Sequence, residues 1–147
     1  MIAVDTNLLV YAHRAESEWH APALSSLVAL AEGRSQWAIP WPCLHEFLAI
    51  VTHPRIYTPP SPRETALASL AAWLGSQGCV PIGEGPGYFR VLARLVSKGR
   101  VVGGLIHDAR VAAICLHNGI SVLWTADRDF SRFPELKTLN PLIPGKE

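Results

Sequence analysis

The sequence carries almost no excess of one charge: 13 Lys and Arg stand against 12 Asp and Glu, a formal net charge of +1. This excludes a global basic field that would draw the chain onto nucleic acid or membrane, so any polyanion must be met by local groups. Cysteine is scarce. Cys43, Cys79 and Cys115 are odd in number, lie among apolar neighbours and show no C-x-x-C or Cys/His ligand spacing, which excludes a disulfide framework and a zinc site and fits a reduced, cytoplasmic protein. No run of roughly 18 apolar residues occurs, and the N-terminus lacks a basic segment followed by an apolar one and a cleavage site. Neither export nor membrane insertion is expected. Repeats and linkers are also missing, so the 147 residues are expected to form a single domain, 1–147.

What is present is a generous apolar content, 49% of residues, arranged in short runs that alternate with helical periodicity. Ile2-Ala3-Val4 reads as a strand that turns at Asp5 into a helix through Leu8 to Ala12, with Thr6 and Asn7 supplying the cap. Ser17 or Ser25 starts a second helix that Gly33 stops, and Gln36 to Ile39 forms a second strand. Leu44, Phe47, Leu48 and Val51 mark a helix that ends before His53-Pro54. Tyr57 to Pro62 is a loop, and Ser61 with Glu64 resembles a capping box for a helix carrying Leu67, Leu70, Trp73 and Leu74. Cys79 to Ile82 is a third strand, followed by a helix through Phe89, Leu92, Leu95 and Val96. Gly103-Gly104 opens a helix with Leu105, Ala109, Ala112, Ala113 and Leu116 on one face, and Ile120 to Trp124 is the next strand. Gly145-Lys146-Glu147 reads as a loose tail. Short buried strands alternating with helices predict an α/β sandwich with a mainly parallel sheet, because parallel strands need crossover helices.

In such sheets ligands bind beyond the carboxyl ends of the strands, where this chain places Asp5 and Asp127. Glu46 in "PCLHEFLAIV" and Asp108 in "GGLIHDARVAAI" interrupt otherwise apolar helices. Taken alone, Asp5 serves equally well as an N-cap, and Glu46 and Asp108 as solvated acids. Together, clustered carboxylates repel one another and either trap protons or hold a cation. An all-oxygen set suits Mg²⁺ or Mn²⁺, whose chemistry serves phosphodiester hydrolysis most directly. His45, His53 and His107 lack a metal-binding partner at a convincing spacing and read as structural or peripheral.

The order of these motifs, D-T-N after the first strand, the helical Glu46, G-x-x-x-D, and T-x-D-x-D-F in "TADRDF", resembles the PIN-domain family, and within it the VapC-type toxins of bacterial toxin-antitoxin pairs. The resemblance spans essentially the whole chain. It implies a PIN-like three-layer α/β/α sandwich with four to five strands, and a Mg²⁺- or Mn²⁺-dependent endoribonuclease that leaves a 5′-phosphate and a 3′-hydroxyl through a metal-activated water. It maps the catalytic acids onto Asp5, Glu46, Asp108 and Asp127. The metal falls to Asp5, Asp108 and Asp127, with Asn7, Thr125 and Asp129 as auxiliary groups. It further implies a small antitoxin partner and a homodimer.

RNA approaching an acidic pocket needs cations at its rim, and Arg14, Arg55, Arg110 and Arg128 lie near the motifs. Trp41 and Tyr57 are available to stack on bases, although core packing is the plainer expectation for both. Two rivals stay open. A haloacid-dehalogenase-like phosphatase shares the strand-ending Asp, but needs D-x-D where this chain has Asn7. A non-catalytic module binding a cation or a partner shares the pocket.

Overall fold

The computed structural model describes residues 1–144, so the tail expected at Gly145-Lys146-Glu147 lies outside the described residues. Five strands form one parallel sheet: β1 (Ile2–Val4), β2 (Trp37–Pro40), β3 (Cys79–Ile82), β4 (Val122–Trp124) and β5 (Thr138–Leu139), in the order β3-β2-β1-β4-β5. Six helices accompany them: α1 (Thr6–His13), α2 (His20–Glu32), α3 (Trp41–Val51), α4 (Arg63–Leu74), α5 (Tyr88–Gly99) and α6 (Ile106–His117). α1 packs against α2 and α3, while α5 packs on α6, which gives the three-layer α/β/α arrangement. No helix among the described residues is long and apolar enough to cross a membrane.

β1 lies between β2 and β4, with Ile2 opposite Trp37 on one side and Val122 on the other. Chain order runs outward from β1 to β3 and then returns past β1 to β4. This reversal creates a switch point between β1 and β4, where connections leave in opposite directions and open a crevice. β2 and the inner residues of β1 and β4 are buried because they are covered on both faces: Ala3, Val4, Trp37, Ala38, Ile39 and Leu123 have no exposed surface. Pairing continues past the strand ends, with Asp5 N–H donating to the Trp124 carbonyl and Thr125 N–H to the Leu139 carbonyl, both at 2.9 Å. The short β5, which periodicity did not mark out, therefore backs the loop that carries Thr125.

The structure departs from the sequence expectations at several helix boundaries. Ser25 lies inside α2; Ser17 instead accepts the Trp19 N–H at 3.1 Å, just before that helix starts. The Ser61/Glu64 capping box does not form. Pro62 occupies the cap of α4 without a side-chain bond, and Ser61 Oγ is taken by Arg14 Nη1 at 3.0 Å and His13 Nε2 at 2.8 Å. The inward stripe of α4 passes through Ala66 and Leu70, which leaves Leu67 53% exposed. On α5 the stripe runs through Tyr88, Val91, Leu92, Leu95 and Val96, one residue out of phase with Phe89, which is 76% exposed.

Candidate active site

Asp5 sits at the end of β1, at the switch point, and is nearly buried at 6% exposure. It is itself the N-cap of α1: Oδ1 accepts the Thr6 N–H at 2.8 Å. The expectation that Thr6 and Asn7 would take over capping is therefore corrected. Once the strand leads straight into the helix, Asp5 is the residue whose extended backbone brings its carboxylate over the first free N–H groups. Oδ1 also receives the Cys43 thiol at 3.4 Å, and Oδ2 accepts from Thr125 Oγ1 at 2.7 Å and Asn7 Nδ2 at 3.5 Å. Each oxygen thus has one short donor and one long one.

Thr6, released from capping, points the other way. Its Oγ1 donates to Glu46 Oε2 at 3.3 Å and ties α1 to α3. Asn7 bridges the switch point: its Nδ2 also reaches Thr125 Oγ1 at 3.4 Å, and its Oδ1 accepts the Ala126 N–H at 3.2 Å. Thr125 is buried and fully engaged, giving its proton to Asp5 and accepting the Asp127 N–H at 3.0 Å. Asp127 then caps a 3₁₀ turn, Arg128–Arg132, through Oδ1 to the Asp129 N–H at 2.8 Å. The opposite wall comes from the turn Gly103–Leu105 and the start of α6. Gly103 adopts φ +60°, a conformation that favours glycine, and the helix begins in time to put Asp108 in its first turn.

Asp5, Glu46, Asp108 and Asp127 all line one cleft of about 200 Å³, together with Thr6, Asn7, Val10, Tyr11, Ile50, His107 and Val111. One carboxylate oxygen from each of Asp108, Asp127 and Asp129 lies within 4.8 Å of the others, so Asp129 joins Asp108 and Asp127 in a group that could hold a metal ion. Burial pushes the Asp5 carboxyl up against the opposing donors Thr125 and Thr6. Burial, followed by the charge of Asp5, also raises Glu46. Asp108 is pushed up to about 6, first by burial and then by Asp127, Asp129, Asp5 and Glu46. Mutual repulsion in a partly desolvated pocket is the signature of a site that a cation would relax, and the all-oxygen donor set fits a hard divalent ion.

Three side chains that sequence reasoning passed over touch this site. Cys43 lies one helical turn before Glu46, a spacing that puts both on the same side of α3; burial keeps its thiol protonated and able to donate to Asp5. Thr6, expected to cap and orient at the strand end, instead holds Glu46. His107, expected with His45 to be structural or peripheral, lines the carboxylate cleft, and both imidazoles line its continuation. The four arginines divide. Arg110 reaches Glu84 through Nε at 2.9 Å and Nη2 at 2.8 Å and borders the continuation beside Asp108, and Arg128 borders a further cleft beside Asp127. Arg14 is committed to Glu16, Ser61 and the Pro59 carbonyl and covers the Tyr57 ring at 4.2 Å, away from the carboxylate cleft. Arg55 is exposed on the turn after α3.

The raised Asp108 carboxyl has a measurable consequence. Between pH 7 and pH 5 it passes through its midpoint near 6, so a cation must displace a proton at the lower pH. Mn²⁺ affinity, followed by calorimetry, is expected to fall about tenfold over that interval. The metal-free fold moves the opposite way. A carboxyl whose folded value exceeds its unfolded 3.8 binds protons more tightly when folded, so its contribution to stability improves as pH falls from about 6 toward 4.

The chain forms a parallel sheet with carboxylates gathered at its switch point, and it belongs to the PIN-domain family, whose pattern matches residues 2–136. Its curated relatives carry a more particular name. Ribonuclease VapC43 of Mycobacterium tuberculosis (strain ATCC 25618 / H37Rv) is 34% identical over 142 residues, covering 97% of this chain and 96% of the relative. Ribonuclease VapC37 of the same strain is 30% identical over 141 residues, covering 96% and 97%. Among solved structures, VapBC2 from Rickettsia felis, bound to a DNA fragment from its promoter, superposes with a TM-score of 0.69 at 22% identity, covering 95% of this chain and 98% of that one. VapC20 of M. tuberculosis, a toxin that cleaves the sarcin-ricin loop, gives 0.64 at 20% identity, covering 89% and 93%. At those identities the two structures speak for the fold.

Proposed function

We propose that residues 1–147 act as one PIN-like domain, a VapC-type toxin that cleaves RNA endonucleolytically in the cytoplasm with Mg²⁺ or Mn²⁺. The observation that carries this reading is the meeting of four carboxylates from four separate elements in one cleft, in a chain whose relatives are named ribonucleases. Asp5, Asp108 and Asp127 would hold the cation, with Asp129, whose carboxylate lies in one group with those of Asp108 and Asp127, beside them. The bound ion supplies positive charge against the phosphate and makes a coordinated water more acidic.

The protein's own groups do the rest. Thr125 and Asn7 orient the Asp5 carboxylate. Thr6 holds Glu46 Oε2, which leaves Oε1 to accept the proton of the attacking water, and the raised basicity of this carboxyl suits it to that task. A small antitoxin partners the protein, supported by the VapBC2 assembly of Rickettsia felis and the FitAB structure bound to IR36 DNA, which superposes with a TM-score of 0.66 at 15% identity; a homodimer is what the family resemblance implies. The three free cysteines agree with a reducing compartment.

The direct test incubates the purified protein with structured and unstructured RNAs in Mg²⁺, in Mn²⁺ and in EDTA. Cleavage in the metals that stops in EDTA, with 5′-phosphate ends, is expected. Cleavage that persists in EDTA would overturn the metal assignment, and metal binding without cleavage would favour a non-catalytic module.

A further inference from the structure

Four donors converge on Asp5. Thr6 N–H and the Cys43 thiol meet Oδ1 at 2.8 and 3.4 Å, and Thr125 Oγ1 and Asn7 Nδ2 meet Oδ2 at 2.7 and 3.5 Å. A carboxylate has about four lone-pair positions, so a cation held by Asp5 must take the place of one donor. The two short bonds are fixed by other duties: the Thr6 N–H opens α1, and Thr125 also accepts the Asp127 N–H. The two long ones differ in where they stand. Asn7 lines the cleft and keeps Thr125 Oγ1 and the Ala126 N–H as partners, so its amide leaves Oδ2 without being stranded. Cys43 has no exposed surface and is not among the lining residues of the cleft, so its thiol reaches Oδ1 from the core.

An ionised carboxylate at 6% exposure depends on each donor it keeps, because burial by itself favours the neutral form. A thiol is a weak donor to a neutral oxygen, but the acceptor here carries a charge, which strengthens the bond. The contact also sets direction. With Oδ1 held between the Thr6 N–H and the Cys43 thiol, the carboxylate cannot turn about its own axis, and Oδ2 keeps its place beside Asn7 and the cleft. Cys43 precedes Glu46 by three residues in α3, so one helical turn both steadies Asp5 and carries a second carboxylate of the same cleft.

We infer that Cys43 is a positioning residue for the metal centre: its S–H fixes Asp5 Oδ1 from the core, and the Asn7 amide is the donor that gives way to the ion on Oδ2. This rests on the metal-dependent ribonuclease reading and adds to it how the carboxylate at the end of β1 is aimed.

The test compares Cys43→Ser, Cys43→Ala and Cys43→Val in the full chain by calorimetric Mn²⁺ titration and RNA cleavage. Serine keeps a donor in a smaller side chain, and valine keeps bulk without a donor, so donation and mere packing predict opposite orders. Cys43→Ser is expected to bind Mn²⁺ within a few-fold of wild type, and the alanine and valine variants at least about tenfold more weakly, with kcat lowered more than KM is raised. Wild-type Mn²⁺ affinity in Cys43→Val, with Cys43→Ser the weak binder, shows that the side chain only fills space and overturns the inference. If the alanine and valine variants do not fold, the infrared S–H stretching band, isolated as wild type minus Cys43→Ser, decides the point. A band at the lower frequency of a hydrogen-bonded thiol, kept when Mg²⁺ is added, supports the assignment. A band at the unbonded frequency, or one that moves there on adding Mg²⁺, overturns it. The ribonuclease reading fails separately: a wild type that binds Mn²⁺ but cleaves no RNA removes that reading and leaves the hold on Asp5 to the Mn²⁺ affinities and the infrared band. A wild type that binds neither Mn²⁺ nor Mg²⁺ overturns both.

Discussion

Asp108→Asn is expected to lower RNA cleavage by at least about 100-fold while making the metal-free protein more stable at pH 7. The two effects have one cause. Asp108 faces Asp127 and Asp129 within 4.8 Å and feels Asp5 and Glu46 as well, so its charge is unfavourable until a cation arrives. Removing that charge relieves the repulsion but deletes a proposed ligand. Asp108 is only half-buried and stands in the first turn of α6, where the helix dipole favours an acid, so the gain is about 1 kcal/mol after solvent screening and loss of the dipole contribution. Thermal melts in EDTA at pH 7 and at pH 5 check the sign: the advantage of the variant should be largest at pH 7 and shrink as the wild-type carboxyl protonates. Unchanged cleavage, or a variant less stable than wild type at pH 7, would contradict this account of the cluster.

Thr125→Val should cost about 2–3 kcal/mol of stability and weaken Mn²⁺ binding about 10- to 100-fold, although valine matches threonine in shape. The hydroxyl is buried and uses all of its hydrogen-bonding capacity. It donates to Asp5 Oδ2 at 2.7 Å and accepts the Asp127 N–H at 3.0 Å, so a single oxygen sets both an acid at the end of β1 and the loop that carries a second acid. Valine leaves the Asp127 N–H without its acceptor and Asp5 Oδ2 with only the long contact to Asn7 Nδ2 at 3.5 Å. Thr125→Ser keeps the hydroxyl and should retain metal affinity within a few-fold of wild type, the loss being limited to one buried methyl group. Urea denaturation and calorimetric Mn²⁺ titration measure the two quantities separately. Equal behaviour of the Val and Ser variants would show that the hydroxyl does not organise the site.

Much of the fold was legible because it depends on local pattern. Apolar triplets and quartets bounded by helical repeats identify β1 to β4 and α1 to α6, and the need for crossover helices makes the sheet parallel. Errors fell where local pattern is ambiguous. Helix starts near Ser25 and Ser61 were misplaced because a serine signals a cap only if its hydroxyl is not claimed by another element, and Ser61 is claimed by His13 and Arg14. Phe89 and Leu67 looked like core residues because they are large and apolar, yet helical phase turns both outward.

By itself the sequence determined that Asp5 and Asp127 end central strands, that Glu46 and Asp108 stand on helices leading to the same sheet edge, and that this order of motifs belongs to one family. Those are properties of spacing along one chain. Tertiary structure decided which donor meets which acid: that Asp5 caps its own helix, that Thr6 serves Glu46, that Cys43 and Thr125 close on opposite oxygens of Asp5, and that Trp41 and Trp19 stay partly exposed. The reason is physical. Periodicity selects the face of an element, but hydrogen-bond partners and solvent exposure depend on how close elements from distant parts of the chain come together, as across the 120 residues between Asp5 and Thr125.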